Sequence, residues 1–228
     1  MPVPAEVDRA VRAVLSHWKL RCFSAAVFLV GISACNEPAP RPVAELVRQG
    51  SVFLDPESLK PYSGPVFATF ADQPLVIAQR LSLRDGAYDG PYEAYFDNRQ
   101  LSSKEIYQEG IKHGPYEWYF KNGRLFEEGT YHEGHLDGPY RAYWDSGDLY
   151  EEGRYNHGEF DGPRKWYLDG KLIELVTYRD GVIDGPYERY DAEGGLELQG
   201  LFAEGTPCGM WIEGEAQITY PACGEVAS

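Results

Sequence analysis

Gly114-Pro115-Tyr116-Glu117-Trp118-Tyr119-Phe120-Lys121-Asn122-Gly123-Arg124-Leu125-Phe126-Glu127-Glu128-Gly129-Thr130-Tyr131-His132-Glu133-Gly134-His135-Leu136-Asp137 holds one complete unit of this chain, and its reading decides the fold. Tyr116 to Phe120 is strand-forming by its aromatic content. Asn122-Gly123 follows, a dipeptide that tolerates the positive φ angles of a type I′ hairpin turn. Leu125 to Tyr131 makes the return strand, and residues 132–137 link to the next Gly138-Pro139. The unit is therefore a β-hairpin with a short connector.

The same unit recurs along the chain. Gly90-Pro91-Tyr92, Gly114-Pro115-Tyr116, Gly138-Pro139-Tyr140, Gly162-Pro163-Arg164, Gly185-Pro186-Tyr187 and Gly209-Met210-Trp211 head successive copies, spaced by 24, 24, 24, 23 and 24 residues. A fixed period of this size marks a repeat architecture. Gly64-Pro65-Val66 heads a degenerate copy 26 residues before Gly90. Four positions before each heading glycine from Gly90 onward stands another: Gly86, Gly110, Gly134, Gly158, Gly181 and Gly205. That regularity predicts a turn needing positive φ. The fold class expected is all-β, with about 24 residues per hairpin repeat.

Stacking the units makes two aromatic columns. Tyr92, Tyr116, Tyr140, Arg164, Tyr187 and Trp211 stand two residues after the heading glycine; Tyr95, Tyr119, Tyr143, Tyr167 and Tyr190 stand five after it. The columns differ in strand parity, so they belong on opposite faces. A third column alternates large and small, Ala94, Trp118, Ala142, Trp166, as interlocking layers do. Stacked rings supply the core that one hairpin lacks. If one ring column instead serves a partner, Trp118, Tyr119, Trp166 and Tyr167 are the expected binding surface, since Trp and Tyr dominate interface hot spots.

Four motifs carry a family resemblance: Gly114-Pro115-Tyr116 with Tyr119, Asn122-Gly123 with Leu125, Glu127-Glu128-Gly129 with Tyr131, and Gly134 with Asp137-Gly138-Pro139. Together they resemble MORN-type repeats, and more closely the bacterial variant labelled as a YwqK-family toxin–antitoxin antitoxin. Ser58-Leu59-Lys60-Pro61-Tyr62-Ser63-Gly64 is similar to that family's lead into its first repeat, and the resemblance spans about residues 50–215. It implies an elongated single-layer antiparallel sheet of consecutive hairpins; periodicity alone would also allow other β-solenoids. It also implies a protein partner, as scaffold or as antitoxin.

The start of the chain reads as an address. Lys19 and Arg21 precede an uncharged run, Phe23 to Ala34, ending Ile32-Ser33-Ala34-Cys35. The run is shorter than the roughly 20 apolar residues that a spanning helix needs. Basic residues, a short apolar stretch and small residues make an export signal, and the ending resembles a bacterial lipobox with Cys35 as the lipidated residue. Residues 1–34 are then the signal peptide and 35–50, with Pro38, Pro40 and Pro42, a Pro-rich tether. Asn36 after the cysteine resembles the outer-membrane sorting pattern, on the periplasmic or surface side. An unused signal would leave the protein cytoplasmic. Residues 1–17 lengthen the leader beyond the usual, which leaves a later start open. Cleavage removes four of 21 basic and two of 36 acidic side chains, taking the net charge from −15 to −17. So acidic a body is a poor ligand for nucleic acid, where Lys and Arg must displace counterions. Of four cysteines, Cys208 and Cys223 remain beyond the leader and the lipid site. An even remainder in an oxidising compartment predicts a disulfide, the alternative being two buried thiols.

Catalysis finds no support in the sequence. Glu127-Glu128 and Glu151-Glu152 recur in neighbouring units, each pair split between opposite faces of its strand, as a solvated strand edge would have them. His132 and His135 lack a second ligand pair of site-like spacing, so no metal is expected. No nucleophile elbow, Walker loop or dinucleotide fingerprint is present, and no cofactor is implied. A reaction needs one unique constellation, whereas these polar positions repeat. The expected organisation continues from the tether with lead-in strands and a degenerate repeat over 51–89, five MORN-like repeats over 90–208 and a C-terminal cap over 209–228. The expected function is a non-enzymatic, lipid-anchored protein-interaction or scaffold module. The alternatives are an antitoxin or immunity protein, and a carbohydrate-binding module or hydrolase. Open sheet ends would also permit a homodimer.

Overall fold

A computed structural model describes residues 38–224, which are β-strands and turns with one 3-10 turn at Val43–Glu45 and no α-helix. Two compact units divide at Ile111/Lys112. The boundary falls inside the 90–208 repeat stretch, because contacts cluster differently on its two sides.

In the first unit Gly64–Thr69, Ile77–Arg84, Ala87–Tyr95 and Leu101–Gln108 pair antiparallel in chain order. A small hairpin, Val47–Gln49 with Val52–Leu54, carries Phe53 into a cluster with Val66, Leu81 and Leu83; Val43, Leu46, Tyr62 and Tyr92 pack around it. The stretch expected to be a tether up to residue 50 thus takes part in the fold. Arg41–Pro42 pairs parallel with Val66–Phe67, and Arg41 Nη1 donates to Asp55 Oδ2 at 2.7 Å. The physical reason is apolar: Val43 and Leu46 have a buried cluster to join. Asp55 also accepts from the Ser58 and Glu57 amides, and with Arg41 these hold its carboxyl down at about 2. The sheet of this unit is therefore covered on one face, unlike a bare single layer.

The second unit is a succession of antiparallel hairpins. Its main strands are Gly114–Tyr119, Leu125–His132, Gly138–Tyr143, Leu149–Asn156, Gly162–Leu168, Lys171–Arg179, Val182–Tyr190, Leu196–Ala203, Thr206–Glu213 and Ala216–Thr219. Each pairs with the next. Among the described residues no pairing returns from the last to the first, so the sheet of this unit stays open.

The hairpin turn differs from the expected type I′ at Asn122-Gly123. Phe120 N–H donates to the Arg124 carbonyl and Gly123 N–H to the Phe120 carbonyl, enclosing the three-residue loop Lys121-Asn122-Gly123. Gly123 has φ 85° and Asn122 is not left-handed; its Oδ1 instead accepts from Arg124 N–H at 2.9 Å. This is a turn followed by a left-handed residue, the common three-residue hairpin. The two-residue primed geometry lies in the connectors. Glu133 and Gly134 have φ of 49° and 84°, His157 and Gly158 of 50° and 93°, and the same holds at Asp85-Gly86, Asp180-Gly181 and Glu204-Gly205. The glycine column predicted from the sequence is therefore the second position of these turns.

Hairpin loop length also accounts for the spacing of the heading glycines. Three-residue loops at 97–99, 121–123, 145–147 and 192–194 go with the 24-residue spacings. Asp169-Gly170, with φ of 50° and 73°, is a two-residue loop between paired Leu168 and Lys171, and its unit is the one of 23. Residues 71–75 form a five-residue loop closed by Phe70 N–H to the Val76 carbonyl, and that unit measures 26. Length varies at the hairpin tip, where strand register is indifferent to it.

Candidate functional site

Strand alternation sorts the repeated side chains of the second unit onto two faces, and their contacts agree. On one face Tyr116, 1% exposed, lies flat against Gly129, its cross-strand partner; a Cβ on Gly129 would come within 2.8 Å of the ring. Tyr131 and Trp118 contact the same ring at 4.9 and 5.3 Å between centroids. The pairing of ring with glycine repeats at Tyr140 with Gly153 and Tyr187 with Gly200. Where the column carries Arg164, its cross-strand partner is Val176. In each case the glycine is a floor for a bulky side chain: Tyr116 on Gly129, Phe160 and Arg164 on Gly153, and Trp211 on Gly200.

Trp211 goes furthest. A Cβ on Gly200 would stand 2.1 Å from Trp211 Cδ2, and the indole N–H is held by the Leu201 and Cys208 carbonyls at 3.2 Å. Because the ring is pinned, Gly200→Ala is expected to cost roughly 3 kcal/mol by overpacking. Urea denaturation followed by indole fluorescence measures it; a change within about 0.5 kcal/mol would mean that the ring moves freely aside.

Carboxylates line the same face. Glu127 accepts from Tyr116 at 2.7 Å, Glu174 from Tyr187 at 2.7 Å, and Glu151, 4% exposed, is paired with Arg164. The Arg164 guanidinium in turn lies over Phe160 and Trp166, at 3.9 and 4.4 Å from the ring centroids. The solvated strand edge expected for Glu127 and Glu151 is therefore corrected: each first glutamate of a pair is drawn inward because a tyrosine or arginine in the next column supplies a donor. The glutamates themselves were visible in the sequence; their donors were not, since donor and acceptor lie 11–13 residues apart.

Burial pushes the Glu127 carboxyl above its ordinary value; the Tyr116 and Tyr140 hydroxyls oppose this and the Glu151 charge adds to it. A carboxylate raised in the folded state contributes stability below its unfolded value, and that contribution is lost as pH rises through the raised one. Glu127→Gln is therefore expected to gain stability relative to the parent between about pH 4 and about pH 8, read from urea midpoints at both. An unchanged difference would show that the side chain is solvated.

The opposite face carries the second tyrosine column, half-buried and bonded to carboxylates. Tyr119 donates to Glu117 at 2.5 Å, Tyr143 to Glu128 at 2.8 Å, Tyr167 to Glu152 at 2.9 Å and Tyr190 to Glu188 at 2.5 Å. Burial and the Glu152 partner push the Tyr167 hydroxyl up to about 12. Arg141 sits 3.8 Å from both Glu128 and Glu152, and Lys165 3.4 Å from Glu152. A shallow groove runs on this face past Pro115, Thr130, Pro139 and Arg141.

The four residues expected to form one binding surface do not share a face. Trp118 and Trp166 belong with Tyr116 and Arg164, in a transverse row Trp118, Glu127, Ala142, Glu151, Trp166 set by the strand register. Ala142 is 3% exposed between them, so the alternation of large and small residues is a packing device here. Tyr119 and Tyr167 lie on the other face with Glu117 and Glu152. Adjacent residues of a strand diverge, which is the reason the four separate.

Residues 112–133 and 136–157 match a family model described as a MORN repeat variant. These two units are similar to MORN-variant repeats. No curated protein matches the chain. Both matched MORN units lie in the second compact unit, and the cross-strand geometry just described extends beyond them to Tyr187 and Trp211.

At the C-terminal end Cys208 and Cys223 are joined by a disulfide with Cα atoms 4.9 Å apart. The boundary expected between repeats and cap, 208/209, falls inside the strand Thr206–Glu213, which belongs to both. The expected lipidation site Cys35 and the expected signal peptide over 1–34 lie outside the described residues.

Proposed function

We propose that the protein is a non-catalytic lipoprotein of the cell envelope, anchored through Cys35, whose MORN-variant hairpins serve as a protein-interaction or scaffold module. The observation that carries this reading is repetition of the polar chemistry. Every tyrosine–glutamate pair on the second face has a counterpart in the neighbouring unit, from Tyr119 with Glu117 to Tyr190 with Glu188. Periodic groups suit an extended protein partner, whereas catalysis needs a single unlike set. The export signal and lipobox at Ile32 to Cys35 support the envelope location.

A photo-cross-linking residue at Pro139, in the groove of the second face, tests the reading in intact cells. One polypeptide cross-linked in stoichiometric yield is expected, with the same partner captured from Pro163 one repeat further on. Adducts that differ at random between the two positions would count against a repeat-spanning partner. A toxic polypeptide as the captured species would move the protein to the antitoxin class.

A further inference from the structure

The four histidines of the described residues, His113, His132, His135 and His157, all fall in or beside the connectors of the second unit. Spacing alone presents His132 and His135 as the natural pair, since they flank the Glu133-Gly134 turn and are cross-strand partners. The structure adds a neighbour on the other side. Tyr131 pairs with Gly114, which brings His113 beside His132 with ring centroids 5.4 Å apart and planes tilted by 49°. His157 has partners of its own, Asn156 Oδ1 at 2.9 Å and Asp137 Oδ2 at 3.6 Å.

Two imidazoles bound to one tetrahedral ion, each at about 2.0–2.1 Å from metal to nitrogen, place their ring centres roughly 5 Å apart. The His113–His132 centroid separation of 5.4 Å lies close to that figure. Among the described residues no three His, Cys, Asp or Glu side chains are grouped to hold a metal, so a site at this pair would take two nitrogens from the protein and its remaining donors from elsewhere. Imidazole selects Zn2+, Ni2+ and Cu2+ over Mg2+ and Ca2+. We propose that His113 and His132 form an open, two-imidazole surface site for a divalent transition metal, able to accept a further donor from water or from a bound protein. His132 is exposed and His113 half-buried, so ion and solvent reach the pair.

Zn2+ titration of the mature chain, followed by the imidazole ring-proton signals in NMR, tests the site. The His113 and His132 signals are expected to move together along one saturating curve, with His157 unaffected. His113→Ala is expected to weaken binding roughly tenfold or more, because the second ligand acts at high effective concentration. His135→Ala is expected to leave the affinity within about twofold. Four signals titrating independently, or an affinity indifferent to His113→Ala, would overturn the proposal. So would a common curve for His132 and His135 that excludes His113. Ring-current-shifted signals of Tyr116 report whether each variant keeps its fold.

Discussion

Tyr116→Ala is expected to destabilise the second unit by about 3–5 kcal/mol, the range for removing a large buried ring. The ring is the most completely buried large side chain of that unit, and it fills the space over Gly129 between Trp118 and Tyr131. Its loss opens a cavity and removes the shorter of two tyrosine hydrogen bonds to the half-buried Glu127 carboxylate. Tyr119→Ala, three residues along and on the opposite face, removes a half-buried ring whose hydroxyl bonds to a carboxylate two residues away. Its expected cost is roughly 1 kcal/mol. The contrast is the point of the pair: equal losses in urea denaturation would mean that the two tyrosine columns are structurally equivalent, contrary to the division of faces.

Cys223→Ser is expected to cost roughly 3 kcal/mol, the chain-entropy figure for a closed loop of about 15 residues. The effect concentrates at the C-terminal edge. Ala216–Thr219 is exposed along its whole length and is held by four cross-strand partners, Met210 to Glu213. The Gly209 amide donates to the Pro221 carbonyl and Tyr220 donates back to Gly209, contacts that the disulfide keeps in register. Amide exchange at residues 210–213 is expected to accelerate in the variant while Tyr116 and its neighbours keep their protection. Unchanged exchange at those four amides would show that the strand holds without its covalent clasp. Covering an eight-residue strand with a short one followed by Pro221 also limits edge pairing between copies.

Periodicity made the hairpins and both aromatic columns legible from sequence, because a heading Gly-Pro and a strand parity are local facts. Turn type was less legible. Asn122-Gly123 carries the primed-turn dipeptide, yet a loop longer by one residue places Asn122 outside the left-handed region, while Glu133-Gly134 adopts the primed geometry with an acidic residue in the strained position. The left-handed conformation there is imposed by two flanking strands already in register, which outweighs the preference of glutamate. The candidate surface divides between two faces for a similar reason. Trp118 and Tyr119 are neighbours in sequence, and neighbours in a strand point apart. The inward glutamates and the covering of the first sheet by Phe53, Val43 and Leu46 depend on residues distant along the chain, so no local pattern announces them. His113 belongs with these: its partner His132 is 19 residues away and is fixed by the register of Gly114 with Tyr131.

The proposed function joins a repeat body to an envelope anchor, and the intact mass of the mature protein, recovered separately from membrane and soluble fractions, tests that union most directly. The account predicts a membrane-bound species that begins at Cys35 and carries added acyl mass, with the Cys208–Cys223 bond intact. A soluble chain that retains residues 1–34 and carries no lipid would contradict it.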